Sequence, residues 1–461
     1  MTPRSLVALS ILFFVPCFTW CEDVTTVATL AAEKTTNAAD AIRASTQLPA
    51  TTPWNLAELS KPPEFRWTDE TSRVRQLTYA GEQHRGRASR VFALYASPAT
   101  LGLTKPEDAK APFPAVVLVH GGGGTAFPEW AELWAKRGYA AIAMDLGGKN
   151  VGDASGPDQS DVTKFGRLDE PVTESWPYHA VANVIRAHSL IRSLPEVDAS
   201  RTALTGISWG GYLTCIVASL DDRFRAAVPV YGCGFLGDNS HWVGPNFSKM
   251  SAEHRVKWLT LYDPSQYLPA CRVPILFVNG TNDFAYPLDS YMKSYRLVPG
   301  PRNIRVTVNM PHGHSQGWAP AEIGLFIDQH VKGGLSLPKL GPITVANGQA
   351  SCRLALDEAA AATPPASKSE SKSESESKSE SESKSAPRPA AQSAVKSAVK
   401  SAALHFTLDT GAINKRNWKS VEASLNNGVA TAPLPAEATV WFMTATDDRG
   451  AIVSTEVEIR P

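Results

Sequence analysis

Short runs of apolar residues, each long enough for one strand, recur along the middle of the chain. They show no polar alternation, which is typical of strands buried on both faces of a sheet. The predicted strands are residues 115–119, 139–145, 201–205, 226–230, 274–280 and 304–308, and the predicted helices between them are residues 128–137, 177–193 and 212–220. This alternation requires right-handed crossovers and therefore a mainly parallel sheet with helices on both faces.

Three parts of the sequence depart from this alternation of strands and helices. Residues 74–79 and 91–95 predict two strands that pair antiparallel ahead of the parallel sheet. Residues 145–173 form a long polar loop on the side of the sheet where an active site is expected. Residues 231–270 interrupt the alternation with aromatic side chains among polar ones, which predicts an insertion above the same edge.

The composition changes near residue 338, where we place a domain boundary. Beyond it the chain predicts short strands separated by turn residues, with little helix, which indicates an all-β immunoglobulin-like sandwich over residues 338–461. Within residues 357–402, a tract alternates serine with lysine or glutamate and offers no apolar face. Such a segment cannot bury surface, so we predict a disordered insertion there.

The first 21 residues have the features of a secretory signal. Arg4 precedes an apolar core at residues 6–18, which is too short to span a bilayer. A lipid-anchored Cys21 is the alternative, but Trp20 stands where a small residue is needed. We therefore predict cleavage and a secreted or periplasmic protein, with an Ala/Thr-rich linker at residues 22–58 and a catalytic domain at 59–337.

The charge balance and the cysteine spacing of the chain argue against several classes of function. The 461 residues carry 45 Lys plus Arg and 45 Asp plus Glu, so the formal net charge is zero. No basic field for nucleic acid or for an anionic surface is implied. The six cysteines show no zinc-ligand spacing. No other segment is apolar enough to cross a membrane, and the oligomeric state stays open.

The pattern Gly206-x-Ser208-x-Gly210 lies between a predicted strand and a predicted helix. A turn this sharp strains the backbone of the serine and needs small neighbours, and it presents the hydroxyl at the carboxyl edge of the sheet. Ser208 is therefore the predicted nucleophile.

A glycine loop follows the first parallel strand, in the order His120-Gly121-Gly122-Gly123-Gly124. Backbone N–H groups there can face an active site, and we predict an oxyanion hole formed by the N–H groups of Gly122 and Trp209. A P-loop is excluded because no Gly-Lys-Ser/Thr follows. A dinucleotide loop, with Asp145 as the ribose-binding acid, fits the spacing but leaves Ser208 unexplained.

The remaining members of a triad should follow Ser208 in the order acid, then histidine. Asp283 lies at the end of a buried strand and is the predicted acid, with Asp289 in reserve. The last strand leads into Pro311-His312-Gly313-His314, which contains two candidate bases.

Together the runs HGGGG, GISWGG, GTND and PHGH resemble an α/β-hydrolase of the dienelactone hydrolase, acetylxylan esterase and prolyl-oligopeptidase-like group, over about residues 60–335. The resemblance favours His314 as the base, since Gly313 precedes it as glycine does in dienelactone-hydrolase-like enzymes, and His312 is the competitor. It implies no cofactor and no metal.

The predicted function is therefore an exported serine esterase with the triad Ser208, His314 and Asp283. The resemblance and the aromatic residues near the site favour an acylated carbohydrate or a small-molecule ester as substrate, with Trp242 and Trp318 on the substrate rim. A prolyl-oligopeptidase-like peptidase and a non-catalytic carbohydrate-binding protein are the alternatives.

Overall fold

The computed structural model describes residues 47–104, 112–355 and 398–460. The predicted signal peptide at 1–21 and the Ser/Lys/Glu tract at 367–385 lie outside these residues, as does most of the predicted linker.

A nine-stranded mixed sheet forms the frame of the first domain, in the order β1-β2-β3-β5-β4-β6-β7-β8-β9. Its strands are β1 (Phe65–Asp69), β2 (Arg75–Ala80), β3 (Arg90–Ala96), β4 (Phe113–Val119), β5 (Ala140–Met144), β6 (Val197–Ile207), β7 (Ala226–Val230), β8 (Ile275–Gly280) and β9 (Arg302–Thr307). Strands β4 to β9 are parallel to one another. Strand β3 pairs antiparallel with β2 and with β5, which confirms the predicted antiparallel lead-in.

Helices cover both faces of this sheet. Those of the described residues are α1 (Leu56–Leu59), α2 (Pro128–Lys136), α3 (Asp161–Phe165), α4 (Trp176–Ser193), α5 (Trp209–Leu220), α6 (Leu236–Asn239), α7 (Ala252–Tyr262), α8 (Leu288–Leu297), α9 (His314–Trp318) and α10 (Ala321–Lys332). Thr205 of β6 lines a groove between α2 and α10, whereas a Cβ on Gly206 would meet α5. Successive strand residues point to opposite faces, so these helices lie on opposite sides. Within the described part of the chain, no helix is long and apolar enough to cross a membrane.

The start of the domain differs from the predicted boundary. Trp54 is buried, and its Nε1 donates to the carbonyl of Tyr178 at 2.9 Å. Helix α1 follows immediately, and Leu59 is also buried. The end of the predicted linker therefore belongs to the catalytic domain, because one tryptophan anchors it to helix α4.

The C-terminal domain is all-β and antiparallel, as the sandwich prediction requires. Its strands are β10 (Lys339–Leu340), β11 (Thr344–Ala346), β12 (Gln349–Ala355), β13 (Val399–Thr407), β14 (Lys419–Asn426), β15 (Val429–Pro433), β16 (Val440–Asp447), β17 (Ile452–Ser454) and β18 (Glu458–Ile459). Strands β12, β15, β14, β13, β16 and β17 are hydrogen-bonded neighbours in that order. Strand β13 begins at Val399, inside the range assigned to the insertion, so residues 399–402 belong to the folded domain.

This sandwich covers the exposed edge of the first sheet. Strand β9 is the last strand of that sheet, and the N–H of its Val306 donates to Ser454 Oγ at 2.8 Å. Glu322 of α10 accepts the N–H of Ile452 at 2.7 Å. An edge strand with unpaired backbone groups can pair with another chain and aggregate, and the second domain covers part of that edge.

Candidate active site

The nucleophile turn has the strained backbone that its sequence predicts. Ser208 adopts φ +59° and ψ −117° at the junction of β6 and α5. Its N–H donates to the carbonyl of Val230 at 2.9 Å, and its carbonyl accepts the N–H of Tyr212 at 2.9 Å. Since a serine in the left-handed region is costly, these bonds from the next strand and from α5 hold the turn in place.

The glycines around Ser208 are required by close packing. A Cβ on Gly206 would lie 2.2 Å from the carbonyl oxygen of Gly210, and a Cβ on Gly210 would lie 2.0 Å from that of Val119. Both distances are far inside van der Waals contact. The pattern around the serine is therefore dictated by the crossing of β4, β6 and α5.

A continuous hydrogen-bonded chain links an acid, a histidine and the serine. His312 Nε2 lies 2.9 Å from Ser208 Oγ, and His312 Nδ1 lies 2.6 Å from Asp283 Oδ2. With the Nδ1 proton directed at the carboxylate, Nε2 is left to accept the serine proton. Tyr231 stacks on the His312 ring at 4.3 Å and restricts its orientation.

The acid is held by its own turn. Asp283 is 1% exposed, and its Oδ1 accepts the N–H groups of Ala285 and Tyr286 at 2.9 and 2.8 Å. Its Oδ2 is thereby free to face His312. The reserve candidate Asp289 instead accepts from Asn239 Nδ2 at 2.6 Å and from the N–H of Ser290. The structure thus brings Asp283, and not Asp289, to the histidine.

The expectation that His314 would contact the serine is corrected by this geometry. His314 is the first residue of α9, and its Nε2 accepts the N–H of Gly121 at 3.0 Å. Its ring also lies 4.8 Å from that of Phe127. Burial and the neighbouring His312 lower the pKa of His314, which keeps Nε2 unprotonated as an acceptor. His314 therefore supports the glycine loop, and the alternative His312 holds the position beside Ser208.

The glycine loop lies against the nucleophile. A Cβ on Gly121 would lie 2.9 Å from Ser208 Cβ, and one on Gly122 would lie 3.0 Å from Trp209 Cδ1. The N–H groups of Gly121, Gly123 and Gly124 donate to His314 Nε2, Gln159 Oε1 and the carbonyl of Gly121, respectively. The Gly122 N–H has no acceptor among the described residues. The Trp209 N–H is the first of α5 and has no acceptor within that helix. Gly122 lies against Trp209, which directly follows Ser208, so the two residues predicted to form the oxyanion hole adjoin the serine.

His120 and Asp145 hold the loops on either side of this site. His120 Nε2 accepts the N–H of Leu146 at 2.9 Å, and burial lowers the pKa of His120 to about 4. Asp145 accepts the N–H groups of Gly147 and Lys149 at 2.9 and 2.8 Å. The carboxylate that a dinucleotide loop would need for a ribose is thus occupied by its own loop.

The two tryptophans expected on the substrate rim are not brought together. Trp242 is 8% exposed and packs on Trp209, with ring centroids 4.5 Å apart. Trp318 stacks on Trp130 at 5.4 Å and lines the groove between α2 and α10. Trp242 lies behind the nucleophile turn with little surface to offer, and Trp318 completes the packing of α2 against α9.

Two exposed rings that the sequence did not single out form a pair, and one of them adjoins His312. Phe284 is 54% exposed, and its centroid lies 4.9 Å from that of His312. The exposed His241 lies 5.6 Å from Phe284 at 85°. The place of Phe284 directly after the predicted acid is the sequence signal that could have identified it.

The long loop between β5 and α4 places a buried lysine next to the residue that follows Ser208. Lys164 Nζ lies 5.1 Å from the ring centroid of Trp209 and 5.7 Å from that of Trp176. Burial lowers the pKa of Lys164, and Asp161 at 3.9 Å opposes that effect. The loop is therefore attached to the site through the residue that follows Ser208.

This strand order, with a serine on a strained strand-to-helix turn and an acid and a histidine after the later strands, defines an α/β-hydrolase. Comparison with known proteins confirms the predicted resemblance to the dienelactone hydrolase, acetylxylan esterase and prolyl-oligopeptidase-like group. The chain matches the acetyl xylan esterase (AXE1) family over residues 66–266 and the PhoPQ-activated pathogenicity-related protein family over residues 241–362.

Individual relatives are distant and align over part of their length. The acetyl esterase Axe7A of Xylanibacter ruminicola is 26% identical over 222 residues, which cover 44% of this chain and 50% of that protein. The human acylamino-acid-releasing enzyme is 28% identical over 221 residues, which cover 44% of this chain and 28% of that protein. The chain thus spans half or less of the length of these curated relatives.

Among solved structures, an acetyl xylan esterase from Paenibacillus sp. R4 is similar with a TM-score of 0.49 at 21% identity. The match covers 60% of this chain and 92% of that one.

Proposed function

We propose that this protein is a serine esterase in which Ser208, His312 and Asp283 form the catalytic triad. The observation that carries the proposal is the hydrogen-bonded chain from Asp283 Oδ2 through both nitrogens of His312 to Ser208 Oγ, with distances of 2.6 and 2.9 Å. This arrangement provides a nucleophile, a general base within reach of it, and a buried carboxylate that orients the base.

The proposed reaction proceeds in two halves. Ser208 Oγ attacks the ester carbonyl carbon while His312 Nε2 takes the serine proton, and the Gly122 and Trp209 N–H groups stabilise the negative oxygen. His312 then gives that proton to the alcohol oxygen as the bond from the carbonyl carbon to that oxygen breaks. Water repeats the sequence on the acyl-serine, and this releases the carboxylic acid and restores Ser208.

The substrate class within this proposal is an ester, preferably an acylated carbohydrate. The match to the acetyl xylan esterase family over residues 66–266 supports it. A second candidate is an acylaminoacyl-peptidase-like activity, since the human acylamino-acid-releasing enzyme is 28% identical over the aligned part. The two share the triad and differ in the leaving group, an alcohol in one and an amine in the other.

The test compares the wild-type chain with Ser208→Ala on acetylated xylosides, short-chain acetate esters and N-acyl peptide amides. We expect ester hydrolysis by the wild type and a loss of about 10⁴-fold or more in kcat for the variant, with an unchanged thermal midpoint. Ser219→Ala, which removes a buried hydroxyl elsewhere on α5, is the matched control. Undiminished hydrolysis by folded Ser208→Ala protein would overturn the mechanism, and a preference for amides would overturn the ester assignment.

A further inference from the structure

Phe284 stands out among the apolar side chains of the described surface. The exposed large hydrophobic residues there are Leu103, Leu133, Val162, Val256, Phe284, Leu335, Val345 and Leu408, and Phe284 is the one aromatic member. Its ring is 54% exposed and adjoins the His312 ring at 4.9 Å. An isolated exposed apolar residue needs no explanation, but one in contact with the catalytic base lies where a substrate must bind.

The backbone beneath this ring is fixed from three directions. Asp283 Oδ1 accepts the N–H groups of the two residues that follow Phe284. Asn282 Nδ2 donates to the carbonyls of Asn414 and Arg416 at 3.3 and 2.9 Å. The carbonyl of Ala285 accepts the N–H of His241 at 3.2 Å. Phe284 is therefore presented to solvent by a rigid turn.

The insertion between β7 and β8 completes the surface. His241 is exposed and meets the Phe284 ring edge-on at 85°. Trp242 lies behind it, with its ring 5.8 Å from His241. Phe284, from the turn at residues 281–286 (the acid turn), and His241, from the insertion, form one aromatic wall in which Phe284 adjoins His312. We call it the His312 wall.

The position of the wall indicates which part of a substrate would touch it. His312 must lie within hydrogen-bond reach of the leaving oxygen to protonate it, so the alcohol part of an ester is on the His312 side of the scissile bond. The carbonyl oxygen, by contrast, faces the proposed oxyanion donors Gly122 and Trp209. Rings with apolar faces, such as sugar rings, stack on aromatic side chains.

Resting on the proposed esterase function, we propose that Phe284, with His241 at its edge, is a stacking subsite for the ring of the leaving alcohol. Phe284 thus selects esters of ring-bearing alcohols, such as acetylated pyranosides, and contributes little to recognition of the acyl group.

The experiment keeps the acetyl group constant and varies the alcohol. Acetylated methyl xyloside and benzyl acetate carry a ring, and ethyl acetate does not. Because kcat/KM covers binding and the step in which the alcohol leaves, and the acetyl group is constant, differences among these substrates report recognition of the alcohol. Phe284→Ala should lower kcat/KM by roughly three- to tenfold on the ring-bearing acetates and by less than about twofold on ethyl acetate.

Two further variants test the stacking itself. Phe284→Trp keeps a flat aromatic face and should retain the preference, whereas Phe284→Leu keeps apolar area without that face and should lose most of it. Val345→Ala removes an exposed apolar side chain from the sandwich and serves as the control. It should leave kcat/KM unchanged on both the ring-bearing and the ringless acetates. Exchange of the acyl group, from ethyl acetate to ethyl butyrate, should affect wild type and Phe284→Ala equally.

Equal losses on ring-bearing and ringless acetates would overturn the subsite, as would an unchanged preference in Phe284→Ala. These outcomes differ from failure of the esterase proposal, in which Ser208→Ala retains the hydrolysis that the wild type shows. If ester hydrolysis depends on Ser208 but is unchanged in Phe284→Ala, the stacking subsite is wrong and the esterase proposal still holds.

Discussion

At the scale of single residues, the two histidines of the Pro311–His314 run have different tasks. His312 lies between Ser208 and Asp283, and His314 accepts the N–H of Gly121. Both histidines contact the candidate site, but they contact different parts of it. In the proposed mechanism His312 transfers a proton, whereas His314 holds the loop that carries the proposed oxyanion donor Gly122.

This difference predicts distinct outcomes for the two substitutions. His312→Ala should lower kcat by about 10⁴-fold or more, because the base is lost. His314→Ala should lower kcat by about tenfold, since the glycine loop keeps its fold but the Gly121 N–H loses its hydrogen-bond acceptor. Steady-state kinetics on a soluble acetate ester measures both.

A matched variant separates support from proton transfer. His314→Gln retains an acceptor for the Gly121 N–H and should recover part of the activity that His314→Ala loses, although glutamine cannot act as a base. An inactive His314→Gln together with an active His312→Ala would assign the catalytic role to His314 instead.

At the scale of elements, the acid turn depends on the second domain. Asn282, the residue before the acid, donates to two carbonyls of the sandwich, those of Asn414 and Arg416. The same domain covers the edge of β9 through Ser454. The sandwich is thus joined to the catalytic sheet both at its edge strand and at its acid turn.

Asn282→Ala should therefore lower kcat several-fold with little change in KM. Each lost hydrogen bond is worth about 0.5–1.5 kcal/mol, and a looser turn aligns Asp283 less well with His312. Asn417→Ala removes a side-chain bond to Asp409 within the same sandwich loop and is the control. Equal kinetics in both variants would show that the contact is only structural.

At the scale of the whole molecule, buried histidines link stability to pH. Burial lowers the pKa to about 4 in five of them: His120, His179, His188, His330 and His405. The unfolded chain has ordinary histidines that titrate near 6.5. Between these values the unfolded state binds more protons, so the free energy of unfolding falls as the pH falls.

We expect the thermal midpoint to drop progressively from pH 7 toward pH 4. Asp263 acts in the opposite sense, because burial raises its pKa and the folded state gains its proton first. Because a single carboxylate opposes five histidines, the thermal midpoint is still expected to fall as the pH falls. His330→Gln replaces one of these histidines with a residue that cannot titrate. Its thermal midpoint should therefore fall less steeply with decreasing pH than that of the wild type. A thermal midpoint that is constant between pH 7 and pH 5 would contradict the linkage.

The sequence by itself determined the features that depend on local pattern. Apolar runs predicted the parallel strands, since burial on both faces excludes polar residues along the whole strand. The Gly206-x-Ser208-x-Gly210 pattern predicted the strained turn, because no larger residue fits where β4, β6 and α5 cross. Chain order predicted that Asp283 follows the serine at a strand end.

The tertiary structure decided which side chains meet across long stretches of chain. His312 and His314 have similar local sequence, and only the start of α9 at His314 turns one ring toward the glycine loop and leaves the other beside Ser208. Trp242 looked suited to the rim in sequence but is buried, whereas Phe284 is exposed. Periodicity encodes whether a residue is buried within its own element, but contacts between elements depend on how the sheet, the insertion and the sandwich pack together.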